Sequence, residues 1–219
     1  MDVGESFGYV FHDEKWLTKV LIGGIVSAIP VAGLAAIGYV LRTLRNVATG
    51  DVRPLPDWGE FGDHFVKGLM VFTAGLIYAI PVILLAAIAA IVAAVAGVGS
   101  DQATLAGVLL IGGLAALAGV YTLVLALWLP AATASYSLSG EFGDLFAFAR
   151  IWALIARNPS SYIVALLVAW LAALVASAVG GILCGIGTLF TGFWAGLVYA
   201  YTLGRHVRAN REALPGGTS

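Results

Sequence analysis

The chain has 219 residues, 61% of them hydrophobic and only 11% charged, with a formal net charge of −1 at pH 7. Soluble chains carry about 25% charged residues, so this composition excludes an ordinary water-soluble domain, and the charge balance argues against a nucleic-acid partner. Three stretches lack Asp, Glu, Lys and Arg altogether, residues 68–100, 102–140 and 158–204, and each exceeds the roughly 20 apolar residues that a membrane helix needs.

The start of the chain carries Asp2 and Glu5 where a secretory signal would be basic, so no cleavable leader is expected. Residues 6–19 mix aromatics with charge and predict an interfacial lead-in, with Trp16 and Lys19 at headgroup level. The first apolar run, about 20–41, is long enough for one crossing, yet Pro30 and Gly33 at its centre predict a break that makes it re-entrant. A polar connection follows over residues 42–67, in which Pro54 and Pro56 exclude a helix. The second segment, about 66–97, contains Pro81 and is expected to kink there. After a short polar turn, Gly97–Thr104, the third segment runs over about 104–129, with Pro130 bending the chain.

Residues 144–157 predict an amphipathic helix lying in the interface. Arg150 and Arg157 share one face with Ala147, while Phe148, Ile151, Trp152 and Ile155 share the other. Asn158-Pro159 ends it, and Ser160 or Ser161 is placed to cap the next helix. Two further segments follow, about 161–183 and 187–204, joined by a tight turn near Cys184–Thr188, and residues 209–219 are expected to be a disordered tail. Apolar residues on every side of 82–95 fit a lipid-embedded helix and not a barrel strand, which alternates. The fold class expected is therefore an all-α polytopic membrane protein, one integral membrane domain over 1–219 with about five segments.

The basic residues indicate orientation. Four lie in the first loop, Arg42, Arg45, Arg53 and Lys67. Arg150 and Arg157 lie in the third loop, and Arg205, Arg208 and Arg211 in the tail, while the two short turns hold none. The positive-inside rule puts the long loops and the C-terminus on the cytoplasmic side of the cell inner (cytoplasmic) membrane. Lys15 and Lys19 join them if the Pro30 segment is re-entrant, and lie outside if it crosses once.

Candidate chemistry is sparse. The apolar runs hold no ionisable residue of the kind proton-coupled transporters use. Their Ser, Thr and Tyr side chains, among them Ser27, Thr73, Tyr121 and Thr191, could line a path for a neutral solute or bond back to their own helices. A cytoplasmic rim of Glu60, Asp63, His64, Glu141, Asp144, Arg150 and Arg157 is the place where a site could form. No HExxH, HxxxH or CxxC occurs, so no metal, cofactor or catalytic residue is assigned. Gly59–Phe65 and Gly140–Phe146 match at six of seven positions, as paired sites of a repeat or as two helix starts at one membrane face, with Asp63 and Asp144 as caps. A small-residue stripe, Gly181, Gly185, Gly192, Gly196, Ala200 and Gly204, contains two GxxxG pairs suited to close helix packing, inside this bundle or against a partner.

The pattern Trp16…Lys19, Ile29-Pro30 with Gly33, Gly38-Tyr39, Arg42, Gly50, Leu55-Pro56-Asp57-Trp58, Gly62 and Gly68 resembles domain-of-unknown-function family 4013. Asn158-Pro159 before Tyr162, and Cys184-Gly185-Ile186-Gly187, are similar too. The resemblance covers nearly the whole chain and implies a prokaryotic integral membrane protein without assigned activity. These readings lead to a non-catalytic accessory or packing subunit, not an enzyme. Its partners would be membrane lipids and a membrane-protein partner or a homo-oligomer; the alternative is a small permease or channel for a neutral solute.

Overall fold

The computed structural model describes residues 3–97, 104–182 and 185–210. Among these there is no strand. The helices are α1 (Val3–Gly8), α2 (Trp16–Ala28), α3 (Gly33–Thr49), α4 (Phe61–Val95), α5 (Leu105–Ser139), α6 (Phe148–Ala156), α7 (Pro159–Ile182) and α8 (Gly187–Ala209). Three of them, Trp58–Val95 (which takes in a short 3-10 turn before α4), α5 and α7, are long and apolar enough to cross a membrane. Three helices thus qualify where about five segments were expected: α2 is a shorter apolar helix, and α8 carries Arg205 and Arg208 in its last turns.

The first apolar run is not one helix. It breaks between Ala28 and Gly33, where Pro30 lacks the N–H that would continue the ladder. α2 and α3 fold back on each other, which brings Lys19, near the start of α2, to the turn that follows α3: its Nζ donates to the Leu55 carbonyl at 2.9 Å. α3 continues well past residue 41 and stops at Thr49, where Gly50 takes the left-handed conformation (φ +88°) and its N–H closes on Asn46 and Val47 carbonyls.

The other boundaries shift for physical reasons. α4 and α5 each run 35 residues unbroken through Pro81 and Pro130, since a helix in lipid gains nothing by exposing further backbone. Asn158, and neither Ser160 nor Ser161, caps α7: its Oδ1 accepts from the Ser161 amide at 3.1 Å, and Pro159 takes the first helical position. The interfacial helix is shorter than 144–157, because residues 142–146 form a 3-10 turn before α6. The turn residues 98–103, Cys184, and the tail beyond Asn210 lie outside the described residues.

The chain divides into two compact units, residues 1–72 with 130–219, and residues 73–129. In the first, α8 is the central element. α2 packs on it with Gly23 and Gly24 against the Phe193 and Phe190 rings, and α3 with Val40 at Gly196 and Val47 at Gly204. α7 lies along its other side through buried Ala172, Ala176, Ala195 and Val198. Small side chains let these helices approach closely, and the association is then driven by packing. Across α3 and α4, a Cβ at Gly38 would overlap the His64 carbonyl and one at Gly68 the Leu34 carbonyl. The second unit consists of residues 73–95 of α4 and 105–129 of α5 with the chain between them. Its polar ties are few: Tyr121 Oη donates to the Tyr78 carbonyl at 2.9 Å, and Trp128 Nε1 to Tyr78 Oη at 3.3 Å. Its surface is apolar and uncovered, with Ile83, Leu84, Ile91, Leu109 and Leu123 all more than half exposed.

Candidate functional site

Polar chemistry gathers where the loops of the first unit meet. Lys19 is buried, and its Nζ donates to Asp13 Oδ2 at 2.8 Å and lies 3.4 Å from Asp57 Oδ1. Burial alone would raise the Asp13 carboxyl. The hydrogen bonds from Lys19 and the Lys15 amide, with the Lys19 and Arg53 charges, outweigh it and hold the group below its ordinary value. Trp58 Nε1 donates to the Lys19 carbonyl at 3.1 Å, and Tyr39 Oη to the Pro56 carbonyl at 2.7 Å. The Tyr39 and Trp58 rings stack at 4.5 Å. The segment Leu55-Pro56-Asp57-Trp58 is thus a clasp over the open end of the α2–α3 hairpin, each residue supplying at least one contact. Prolines flanking Leu55 fix the extended backbone whose carbonyls Lys19 and Tyr39 need.

The rim residues expected from the sequence divide among several local ties. Arg42 reaches Asp63 at 3.5 Å and Glu60 at 3.7 Å, and Lys67 pairs with Asp63 at 2.5 Å. Asp144, in the 3-10 turn, is held by Arg150 of α6. His64 is fully buried, its Nε2 3.2 Å from the Asp57 carbonyl, while Nδ1 has no hydrogen-bond partner among the described residues. Glu141 and Arg157 are exposed, and neither side chain forms an ion pair among the described residues. The two matching heptapeptides therefore share one device, an aspartate paired with a basic residue four or six positions later. The capping roles expected for these aspartates are not what the structure builds: Asp63 lies inside the first turn of α4, and α6 starts at Phe148 with Ala147, which offers no side-chain cap, at its N-cap position. No three His, Cys, Asp or Glu side chains converge as metal ligands among the described residues.

Of the small-residue stripe, Gly196, Ala200 and Gly204 lie in the bundle, Gly196 and Gly204 against α3. At Gly181, Gly185 and Gly192 an added Cβ would meet nothing within 4 Å. The helix-borne hydroxyls mostly turn inward on their own backbone. Ser27 donates to Gly23, Thr122 to Ala118 and Ser177 to Ala173 carbonyls at 2.7–2.8 Å. Thr191 bonds both the Gly187 and Ala176 carbonyls, which ties α8 to α7. On α6, Ile151 and Leu154 enter the core while Phe148 and Trp152 stay 62% exposed, so the apolar face of that helix is split between protein and surroundings. His206, on α8, joins three elements: Nε2 lies 3.0 Å from the Leu154 carbonyl and Nδ1 3.2 Å from Ser161 Oγ.

Two polar pockets adjoin the clasp, of about 330 and 390 Å³, sharing His12, Asp13, Arg53 and Leu55. The first adds Glu5, Asp51, Arg205 and Arg208. The sequence placed the arginines at one end of the bundle through loop charge, but their convergence depends on α8 returning beside α3, which no local pattern announces.

A family model described as Protein of unknown function (DUF4013) matches residues 22–185. The chain belongs to this family. No curated protein and no solved structure matches it. In this DUF4013 protein the matched residues contain α3 to α7 and the clasp, whereas α8, with Arg205 and Arg208, follows the matched region.

Proposed function

We propose that this DUF4013 protein is a non-catalytic accessory subunit of the prokaryotic cytoplasmic membrane, acting through protein and lipid contacts. The observation that carries the reading is the uncovered apolar surface of the α4–α5 unit; in the first unit, the polar side chains of the clasp are engaged in structural ties. Hydroxyls that bond their own helix carbonyls supply no lining for a solute, which favours this reading over a permease for a neutral solute. Exposed helices of this composition are solvated by lipid tails or by another membrane protein. The C-terminus and the long loops lie on the cytoplasmic side, in keeping with the basic residues gathered there.

The test is mild detergent extraction from native membranes followed by mass spectrometry of what co-purifies. A stoichiometric membrane-protein partner is the expected result. In parallel, cysteines placed at Thr73, Tyr121 and Thr191 in a Cys184→Ala background are expected to resist water-soluble maleimides. Uniform labelling of all three, with a partner-free homo-oligomer, would overturn the accessory role in favour of the permease.

A further inference from the structure

α5 and α7 are each long and apolar enough to cross a membrane, and α6 lies on the chain between them. Its nine residues reach about 14 Å, roughly half the hydrocarbon thickness, and the connection carries Glu141, Asp144, Arg150 and Arg157. α5 therefore ends and α7 begins on one membrane face, with α6 tethered there at both ends. Successive helix residues turn by about 100°, which sorts α6 and its C-cap Arg157 into three arcs. Ile151 and Leu154 form the first, 0% and 1% exposed, and enter the bundle. Phe148, Trp152 and Ile155 form the second; the two aromatics are 62% exposed and Ile155 is half-buried. Ala153, Arg150 and Arg157 form the third, with Arg157 exposed and Arg150 tied to Asp144. Rolling about the helix axis is blocked, because the two core side chains and His206 Nε2, 3.0 Å from the Leu154 carbonyl, hold the first arc inward. The aromatic arc is fixed facing out.

We propose that α6 lies in the membrane plane, at the corner where bundle, bilayer and water meet, and that Phe148, Trp152 and Ile155 seat at the headgroup–acyl boundary of lipid. A surface helix in water needs only a core face and a polar face; the third, aromatic arc calls for a third solvent. Tryptophan rings favour headgroup level, where an apolar body and a polar N–H are both solvated. Lipid is the occupant because the surface it must cover begins beside α6. His206 Nδ1, 3.2 Å from Ser161 Oγ, ties the start of α7 to the same point as Leu154, and α7 exposes Ile163 and Leu167 within its first three turns. The opposite arc, ending in Arg157, then faces water and headgroups. The proposal deepens the lipid contacts of the accessory reading and rests on its membrane placement. It is tested on the purified chain alone, so its failure leaves co-purification of a partner to decide the accessory role separately.

The test uses the full chain in a Cys184→Ala background, carrying Trp152→Cys or Arg157→Cys and labelled there with an environment-sensitive fluorophore. Each protein is reconstituted in phosphatidylcholine–phosphatidylglycerol vesicles whose lipids carry a nitroxide at the headgroup, near the top of the acyl chain, or near its end. At Trp152→Cys, quenching near the top of the chain should exceed that at the chain end by about twofold or more, with little quenching by aqueous iodide. At Arg157→Cys, iodide and the headgroup nitroxide should quench most. Both side chains are exposed, so the fold tolerates the labels, and Phe148→Cys repeats the reading on the same arc should Trp152→Cys fail to fold. Iodide quenching at Trp152→Cys as strong as at Arg157→Cys would place the aromatic arc in water. Shielding there from iodide and from all three lipids would mean that a second copy of the chain covers it. Either result overturns the proposal.

Discussion

Replacing Lys19 with methionine removes the charge from the clasp while keeping most of the side-chain volume. Lys19 and Asp13 side chains are 11% and 13% exposed, so the pair is shielded enough that removing one partner leaves the other in a poor environment. Breaking a fully buried pair costs about 3–5 kcal/mol. The Leu55 carbonyl, on a residue only 4% exposed, also loses its donor, at about 1–3 kcal/mol. Two features reduce the sum. Asp13 keeps the Lys15 amide, which donates to it at 2.8 Å, and the residual exposure admits water. A net loss of about 3 kcal/mol follows, equivalent to a fall in thermal midpoint of roughly 6–12 °C for a chain of this size. Tryptophan fluorescence during heating in dodecyl maltoside reads this directly, since Trp16 and Trp58 flank the site. Asp13→Asn alone should cost less, and the double variant about as much as Lys19→Met alone, because the two act as one unit. A midpoint for Lys19→Met within 1 °C of wild type, or strictly additive losses, would refute the clasp as the tie that closes the hairpin.

Four further outcomes are expected. With Cys184→Ala as background, cysteines at Lys15 and Arg45 should label from the same side of sealed vesicles; labelling from opposite sides would show that residues 20–41 cross once. Gly38→Ala should destabilise by about 1–3 kcal/mol or more, since its Cβ would meet the His64 backbone, whereas Gly181→Ala, facing open space, should be neutral or stabilising in the same melt. Asn158→Ala should cost about 1 kcal/mol through loss of the α7 cap. On acidification, Asp13 has a folded-state value below its unfolded one, so the unfolded chain takes up its proton first. Its contribution is complete above about pH 5 and fades as pH falls through about 3.9 toward the folded value. Asp13→Asn should therefore show a shallower decline in midpoint between pH 5 and 3 than the wild type.

The membrane character and the helices were legible because both rest on local composition: lengths of uncharged residues settle α4, α5 and α7 without reference to anything distant. Pro30 was legible as a break because a missing N–H acts on its own helix. The prolines at 81 and 130 carry the same local signal with a different outcome, since α4 and α5 continue through them, and only the surroundings decide which proline interrupts. The clasp was half legible. Its residues stood out as a pattern of Gly, Pro and aromatics, yet their purpose appears only when Lys19 is seen to reach Leu55 and Trp58 to reach back to Lys19, across 36 and 39 positions of chain. The stripe on α8 shows the same limit from the other side: spacing placed Gly192 and Gly196 in one motif, but Gly196 meets Val40 while Gly192 faces open space, because α3 covers only one strip of the helix. Gly38 and Gly68 belong to no regular motif, and they are where two backbones come closest. What a spacing rule cannot supply is the identity of the neighbour, and in a bundle of small residues the neighbour decides which glycine is structural.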